Sequence, residues 1–368
     1  MGEDNLADSM ASNDAAHGGD GDMAGATAPA GVADSQERPE MQLQVVLDRL
    51  GFGPGVIDGR MGTSTANALK GFQEANDLTV TGELDTATEE ALAEWQRIPA
   101  TRVVTIPASW GELEFETIPE GAEEQAAMDR LGYESLDEKI AERFHTTVEV
   151  LQQLNPGGSP AGMSTPSRRT GASSTPAPSG SASASGDADY FTVGRKIRVP
   201  NIGADRIAPA AIENREWQQT LASLGVGSEQ PDVARIVVDE SEGWLKGYDA
   251  DDKLVAMFTV TTGSQNDPLP IGEWAVNGVG YNPTFAYQPE LFWDVPDSED
   301  EQMLPPGPNG PVGVVWIDLT KEHYGIHGTP EPQTIGRTQS HGCVRLTNWD
   351  AARLAGMVSN ATEVIFQA

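Results

Sequence analysis

The stretch "IHGTPEPQTIGRTQSHGCVRL", from Ile326 to Leu346, contains the only cysteine of the 368-residue chain and two of its five histidines. His341 lies two positions before Cys343, and His327 lies sixteen positions before it. A glycine between His341 and Cys343 permits a tight turn or the close approach of a ligand. A thiol becomes a good nucleophile when a neighbouring imidazole removes its proton. The pattern therefore favours a cysteine nucleophile over a cysteine that is merely buried as a small apolar residue.

A zinc site is a second interpretation of the same residues, because zinc binds Cys and His side chains. A structural zinc site takes four ligands, and this chain has a single cysteine. A three-ligand catalytic zinc held by Cys343, His341 and His327 stays open at this point, although nucleophilic catalysis is the favoured hypothesis.

The motifs "HGT" and "SHGCVRL" resemble the signature of the L,D-transpeptidase (YkuD) catalytic domain. This family consists of cysteine enzymes that remodel bacterial peptidoglycan, and the resemblance extends over about 232–368. It implies that Cys343 attacks the third-residue carbonyl of a stem tetrapeptide, releases the terminal D-Ala and transfers the acyl group to an amine of another stem. The residues that carry the motif are His327, Gly328, Thr329, Ser340, His341, Gly342, Cys343 and Arg345.

The resemblance also assigns roles to the catalytic residues. His327 takes the position that the family uses for the general base and acid. His341 is closer to Cys343 in sequence, and its two candidate roles are the general base and the orientation of the loop or of His327. Ser340 is expected to hold an imidazole in one tautomer. Backbone N–H groups near Gly342 and Cys343 are candidates for an oxyanion hole.

The predicted substrate-binding residues are Arg345, Gly328 and Thr329. A guanidinium in an acidic domain is suited to clamp a substrate carboxylate with two hydrogen bonds. A structural ion pair is the alternative role for Arg345. Tyr324 and Trp349 are candidate walls of the cleft, and core packing explains them equally well.

Several functions share this nucleophile. Water as the acceptor would make an L,D-carboxypeptidase, and a lipoprotein amine would make an anchoring enzyme. A protein of another class, a non-catalytic peptidoglycan-binding protein, is the remaining alternative. No cofactor and no metal are expected, and the resemblance implies acylation of Cys343 by carbapenems.

Composition limits the partners. The formal charge of −33 and the sequence pI near 4.3 disfavour nucleic acid and anionic membranes. No apolar run approaches the roughly 18 residues that a transmembrane helix needs. The opening "MGEDNLADSM" lacks the basic and apolar regions of a secretory signal. The resemblance nevertheless implies a periplasmic or cell-wall location, with peptidoglycan stem peptides and glycan as partners.

Two further modules are predicted before the catalytic domain. In the first, "IDGRMGTSTANALKGFQ" and "GELDTAT" resemble the peptidoglycan-binding domain type 1, and Asp85 or Thr86 is a plausible helix cap. In the second, two helical patterns, "LNP" and "KIRVP" resemble a LysM-like sugar-binding module without an obvious first strand. Ser135 is a candidate cap there, and His145 is expected in a helix-surface or capping role.

The predicted architecture is multidomain α+β. It combines a small three-helix bundle, a LysM-like α/β unit and a mostly-β sandwich or barrel-like catalytic domain. In the catalytic domain "DADDK" is the predicted hairpin turn, and Asn348 is the predicted cap of the helix after the motif. The predicted boundaries are 1–38 for a disordered acidic tail, 39–97 for the helical domain, 98–130 for a connector, 131–202 for the LysM-like module with a disordered insertion at about 157–188, 203–231 for a linker and 232–368 for the catalytic domain.

Overall fold

The computed structural model describes residues 34–162, 189–203, 207–208, 212–291 and 300–368. Most of the predicted acidic tail, 1–38, and most of the predicted insertion, 157–188, lie outside the described residues. None of the described helices is long and apolar enough to cross a membrane.

Three helices form the first part of the described chain: α1 (Pro39–Arg49), α2 (Thr63–Ala75) and α3 (Thr86–Ala91). α1 begins with proline, whose fixed φ suits the first turn of a helix. α3 begins after Asp85, whose side chain accepts the Thr88 N–H at 2.9 Å, so the predicted cap is confirmed. A two-residue strand, β1 (Phe52–Gly53), lies between α1 and α2.

The next unit pairs two strands that are distant in sequence, with three helices between them. β2 (Thr101–Thr105) runs antiparallel to β3 (Lys196–Pro200). Between them lie α4 (Ala122–Ala126), α5 (Leu136–Arg143) and α6 (Val148–Leu154). The strand that opens this unit therefore lies before the predicted 131–202 boundary. Ser135 caps α5 by accepting the Glu138 N–H at 3.1 Å, as predicted.

The last unit begins with α7 (Arg215–Leu224) and is built on a large sheet. Within the described residues, nine strands form this sheet in the order β1-β6-β5-β4-β13-β7-β10-β11-β12. The strands β8 and β9 form a separate antiparallel pair. The strand bounds are β4 Arg235–Asp239, β5 Trp244–Tyr248, β6 Leu254–Thr259, β7 Gly272–Tyr281, β8 Phe285–Tyr287, β9 Gln302–Leu304, β10 Val315–Leu319, β11 Gly325–His327, β12 Val344–Arg345 and β13 Glu363–Gln367.

This sheet curls so that its two ends meet. Thr261, just after β6, pairs with Arg345 on β12 through two backbone hydrogen bonds of 3.1 and 2.8 Å. The arrangement is closer to the barrel-like form of the prediction than to two separate stacked sheets. The predicted turn 249–253 joins β5 to β6, with the Asp249 carboxylate accepting two backbone N–H groups within it.

Helix α8 (Asn348–Met357) follows β12 and packs into the core of the sheet. The predicted cap Asn348 is wrong, because the preceding Thr347 accepts the Asp350 N–H at 3.1 Å. Asn348 is instead the first helical residue, and its fully buried side chain is used in tertiary hydrogen bonds.

His145 also departs from its prediction. It is completely buried between α5 and α6, and both ring nitrogens face hydrogen-bond acceptors: Asp48 Oδ1 at 3.2 Å and the Leu224 carbonyl at 2.9 Å. Its ring stacks on that of Trp349, with centroids 5.0 Å apart and planes 6° from parallel. His145 is thus a contact between units, because its partners come from α1, α7 and α8.

Candidate functional site

The candidate site is built on two short neighbouring strands. β11 and β12 run parallel, with Ile326 opposite Val344 and His327 opposite Arg345. Ile326 and Val344 are fully buried in the core. Since side chains alternate along a strand, His327 and Arg345 point to the other face, and Cys343 lies in the bend just before β12, two residues before Arg345. The fold therefore brings the three predicted residues His327, Cys343 and Arg345 to two adjacent strands and the bend before the second of them, with His327 directly opposite Arg345.

His327 is held in a defined orientation. Its Nδ1 lies 2.7 Å from the Gly328 carbonyl oxygen, and a carbonyl can only accept, so Nδ1 carries the proton. Burial, reinforced by the charge of Arg345, lowers the pKa of His327 to about 3. The neutral ring therefore presents Nε2 as its basic nitrogen.

Trp316 supports this imidazole from the neighbouring strand. It lies directly opposite His327 in the β10–β11 register, and the two rings stack with centroids 5.5 Å apart and planes 22° from parallel. The stacking fixes the plane of the imidazole, which the single hydrogen bond from Nδ1 leaves partly undetermined.

Cys343 is a free, half-buried cysteine in the bend before β12. Its Sγ lies 4.0 Å from the carbonyl oxygen of His323. Burial raises the pKa of its thiol, while a backbone hydrogen bond from Gly325 and the charge of Arg345 act in the opposite direction. The resting pair is thus a neutral thiol and a neutral imidazole rather than a thiolate–imidazolium pair.

The bend around Cys343 is fixed by its neighbours. Ser340 is buried and donates its hydroxyl proton to the Cys343 carbonyl at 2.6 Å. Ser340 thus fixes the backbone at Cys343. Gly342 has φ +95°, and a Cβ there would lie 2.6 Å from the Tyr324 ring. Only glycine fits this position without a shift, because the backbone is left-handed and Tyr324 occupies the space.

The other candidate residues have different surroundings. His341 is half-buried in the same bend. Thr329 is buried after β11, and its hydroxyl accepts the Glu331 N–H at 3.3 Å. His323 is a surface residue with 60% of its side chain exposed. Trp349, a candidate wall of the cleft, is instead a fully buried core residue.

The metal alternative has no matching geometry here. Among the residues that the structure describes, no three His, Cys, Asp or Glu side chains are grouped so that they could hold a metal ion. Cys343, His341 and His327 all lie in the described part of the chain, so the three-ligand zinc site is not formed by them.

Two parts of the site were not found from the sequence. Trp316 lies in an apolar run that predicts only a strand, and its stacking depends on the register between β10 and β11. Asparagine is a common helix cap, and the sequence therefore predicts only that role for Asn348. Its packing against Gly328 and its hydrogen bond to Glu142 depend on residues that are distant in sequence. For Trp316, the available sequence signal was a tryptophan in the predicted strand that precedes the strand of the motif histidine His327.

Comparison with known families finds two matching regions. Residues 233–366 match the family model described as "L,D-transpeptidase catalytic domain" (YkuD). Residues 41–92 match that described as "Putative peptidoglycan binding domain". The first region contains every candidate site residue, and the second contains α1, α2 and α3 except for the first two residues of α1.

Curated relatives are similar over part of their length. The chain is 51% identical over 59 residues to "Putative L,D-transpeptidase YkuD" of Bacillus licheniformis, which is 16% of this chain and 36% of that protein. It is 51% identical over 57 residues to the protein of the same name from Bacillus subtilis, 16% of this chain and 35% of the relative. The chain thus spans about a third of the length of these two relatives.

Solved structures are similar at a lower level. An L,D-transpeptidase from Mycobacterium smegmatis shares 21% identity with a TM-score of 0.30, covering 36% of this chain and 58% of that one. L,D-transpeptidase 3 from Mycobacterium tuberculosis, in complex with a faropenem-derived adduct, shares 20% identity with a TM-score of 0.30, covering 39% and 62%.

Proposed function

We propose that this chain is a peptidoglycan L,D-transpeptidase with Cys343 as its nucleophile. The observation that carries the proposal is that His327 lies on β11, Cys343 lies in the bend that leads into the paired strand β12, and the His327 Nδ1–H is bonded to the Gly328 carbonyl. In that tautomer Nε2 carries no proton, so it is the nitrogen of His327 that can accept one. The match of residues 233–366 to the L,D-transpeptidase catalytic domain supports the same chemistry.

The proposed reaction has two steps. In the first, His327 Nε2 takes the thiol proton as Cys343 Sγ attacks the third-residue carbonyl carbon of a stem tetrapeptide. The C–N bond then breaks, the proton passes from His327 to the departing amine, and D-Ala leaves. In the second step, an amine of another stem attacks the thioester carbonyl carbon, the C–S bond breaks, and the proton that the amine loses passes through His327 Nε2 to the departing Cys343 thiolate.

The neutral resting pair determines when the thiolate forms. Burial raises the pKa of Cys343 and lowers that of His327, so proton transfer at rest is unfavourable. Deprotonation is therefore coupled to attack on the bound donor. This arrangement limits side reactions of the thiol while no substrate is present.

The surrounding residues complete the proposed site. Arg345 lies two residues after Cys343, its charge acts on the thiol, and it is assigned to a carboxylate of the donor peptide. The Gly342 and Cys343 N–H groups are assigned to the developing oxyanion, where one donor contributes about 10²–10³ in rate. Gly328 and Thr329 are assigned to the substrate-facing wall beyond β11.

His341 and Ser340 are assigned to the loop that carries the nucleophile. The Ser340 hydroxyl bonds the Cys343 carbonyl, so its proposed role is to fix the backbone there. His341 orients the same bend, and His327 keeps the role of base because its tautomer and plane are both fixed.

The N-terminal units are proposed to hold the enzyme on its substrate at the cell wall. The peptidoglycan-binding match at 41–92 supports this role for α1 to α3. In the unit between β2 and β3, the consecutive helices α5 and α6 follow the short helix α4, and the two strands pair, which supports its interpretation as a LysM-like glycan-binding module. Two wall-binding units would raise the local concentration of stems around Cys343.

The test is to incubate the full chain with purified sacculi and analyse the muropeptides by mass spectrometry. The proposal expects cross-links to the third stem residue together with released D-Ala, and neither product from Cys343→Ala. Tripeptides without cross-links would instead identify an L,D-carboxypeptidase. Binding to sacculi with no product from either protein would identify a non-catalytic peptidoglycan-binding protein.

Carbapenem acylation gives an independent measurement of the nucleophile. The intact mass of the wild-type chain should rise by one carbapenem, and that of Cys343→Ala should not change. An adduct on Cys343→Ala would show that another residue is the nucleophile.

A further inference from the structure

Asn348 connects the N-terminal half of the chain to the loop after His327. Its Nδ2 donates to Glu142 Oε1 at 2.7 Å and to the Pro308 carbonyl at 3.0 Å. Its Oδ1 accepts the Val314 N–H at 3.3 Å. Both ends of this fully buried amide are therefore bonded, so its orientation is set by its partners.

The amide oxygen of Asn348 rests against the peptide that holds the imidazole. A Cβ added to Gly328 or to Gly313 would overlap Asn348 Oδ1, so the three residues are in direct contact. The carbonyl of Gly328 accepts the His327 Nδ1–H at 2.7 Å. A rotation or flip of the Asn348 amide would therefore displace the group that selects the His327 tautomer.

Glu142 controls the orientation of Asn348 from the other side. It lies on α5, is buried, and receives the Tyr133 hydroxyl at 2.6 Å on Oε2 and the Asn348 amide at 2.7 Å on Oε1. Because Glu142 Oε1 accepts the Asn348 Nδ2–H, it holds the N–H end of the Asn348 amide toward α5 and the oxygen toward Gly328. Burial raises the pKa of Glu142 to about 7.

The same turn of α8 is held by a second contact from the N-terminal half. Trp349, next to Asn348, stacks on His145, which follows α5 by two residues. This contact fixes the position of the turn relative to α5, so the Glu142–Asn348 hydrogen bond forms between two elements that are already docked.

We propose that Glu142 is a positioning residue for His327. Through Asn348 and Gly328 it maintains the Nδ1–H tautomer and thereby leaves Nε2 as the base for Cys343. The catalytic part of this inference rests on the proposed transpeptidase function, whereas the tautomer is a property of the free protein. The consequence is that the catalytic domain needs a residue of the preceding unit for its full rate.

The experiment compares Glu142→Met with Glu142→Gln in the full chain. Methionine keeps the length of the side chain but removes both acceptor oxygens, whereas glutamine retains one oxygen for the Asn348 N–H. For Glu142→Met we expect part of His327 to shift to the Nε2–H tautomer, with acylation of Cys343 slower by about ten- to a hundredfold. Glu142→Gln should retain the wild-type tautomer and a rate within about threefold of wild type.

Two measurements separate positioning from a merely structural role. Long-range ¹H–¹⁵N spectra of the histidines report the tautomer, with five rings to assign and His327→Gln identifying the relevant one. Carbapenem acylation reports the rate. Glu149→Met, an exposed position on the adjacent α6, is the matched control and should change neither.

An unchanged His327 tautomer in Glu142→Met would overturn the proposal, whatever happens to the rate. Should that variant fail to fold, Tyr133→Phe removes only the hydroxyl that donates to Glu142. It should then give a partial tautomer shift, and no shift would overturn the proposal. If wild type releases no D-Ala and accepts no carbapenem, the transpeptidase proposal fails, and the tautomer measurement still decides whether Glu142 positions His327.

Discussion

Asp48 and Arg353 lie 305 positions apart in the chain and meet in a two-pronged buried ion pair, with nitrogen–oxygen distances of 2.9 and 3.0 Å. Asp48 belongs to α1 and Arg353 to α8, so the pair joins the first helical unit to the helix after the candidate nucleophile. Burial alone would raise the pKa of Asp48, but the charges of Arg353 and His145 outweigh it and hold the pKa well below its usual range.

Replacing Asp48 by Asn is expected to lower the free energy of unfolding by about 3–5 kcal/mol, because it removes the carboxylate that binds both terminal nitrogens of the buried Arg353, and the carboxylate of Asp350 lies farther away, at 3.7 Å. Chemical denaturation of the full chain, followed by circular dichroism, measures the loss. The site stays chemically intact, so any loss of acylation should follow from the change in stability.

The matched control is Lys70→Gln, at another ion pair between the same two units. Lys70 lies 2.9 Å from Glu242, and both side chains are substantially exposed. We expect a change below about 1 kcal/mol, because an exposed pair is screened by solvent. Equal losses in the two variants would contradict the importance given to the buried pair.

Cys343→Ala should abolish D-Ala release and carbapenem acylation, since the chain has no second cysteine. Binding to sacculi should stay within about twofold of wild type, because the proposed wall-binding units are separate from the thiol. A sedimentation assay with sacculi and a turnover assay on the same preparation check both statements. Turnover by the alanine variant would exclude Cys343 as the nucleophile.

The pH dependence of acylation follows from the two pKa shifts. The pKa of His327 is lowered to about 3, so the imidazole is neutral throughout the neutral range, and the pKa of Cys343 is raised, so the thiol stays protonated there. We expect a nearly flat carbapenem acylation rate between about pH 5 and pH 8. A tenfold fall toward acid with a midpoint near the ordinary histidine value would show that His327 protonates normally.

Arg345→Gln should alter both binding and this pH profile. Loss of the guanidinium should raise the KM of a tetrapeptide donor by about tenfold or more, because a charged hydrogen bond is lost. It should also raise the pKa of His327 above about 3, since the Arg345 charge is one cause of the lowered value. Steady-state kinetics at several pH values measure both effects, and an unchanged KM would favour a structural role for Arg345.

Gly342→Ala should slow acylation by about tenfold or more, because the bend must shift to accommodate a methyl group at φ +95° beside the Tyr324 ring. The rate of adduct formation by intact mass measures this effect. Gly132→Ala is the control, since a Cβ there meets no atom within 4 Å and its backbone is not left-handed. If the two variants acylate equally fast, the bend does not need glycine.

Local chemistry accounts for the features that the sequence predicted correctly. The caps Asp85 and Ser135 and the turn 249–253 depend on residues a few positions apart. The motif itself identified the region of the candidate site for the same reason, since "HGT" and "SHGCVRL" are each continuous in sequence.

Long-range contacts account for the errors. His145 was expected at a helix surface and is buried because Asp48, 97 positions away, and Trp349 surround it. Asn348 and Thr347 are both good capping residues, and Thr347 is the one that caps the helix. This is consistent with the hydrogen bond that the Asn348 amide donates to Glu142, 206 positions away. Neither partner can be identified from one sequence.

The strand β1 links the N-terminal helical unit to the large sheet of the C-terminal unit. Phe52 and Gly53 pair with Met257 and Phe258 and so cover the outer edge of β6. A fragment that begins at residue 233 would lack β1 and expose the edge of β6, where a strand of another chain could pair and cause aggregation. Recombination that exchanges the helical unit α1–α3 for an unrelated one would have to supply a replacement for β1, so the two parts are expected to have been inherited together.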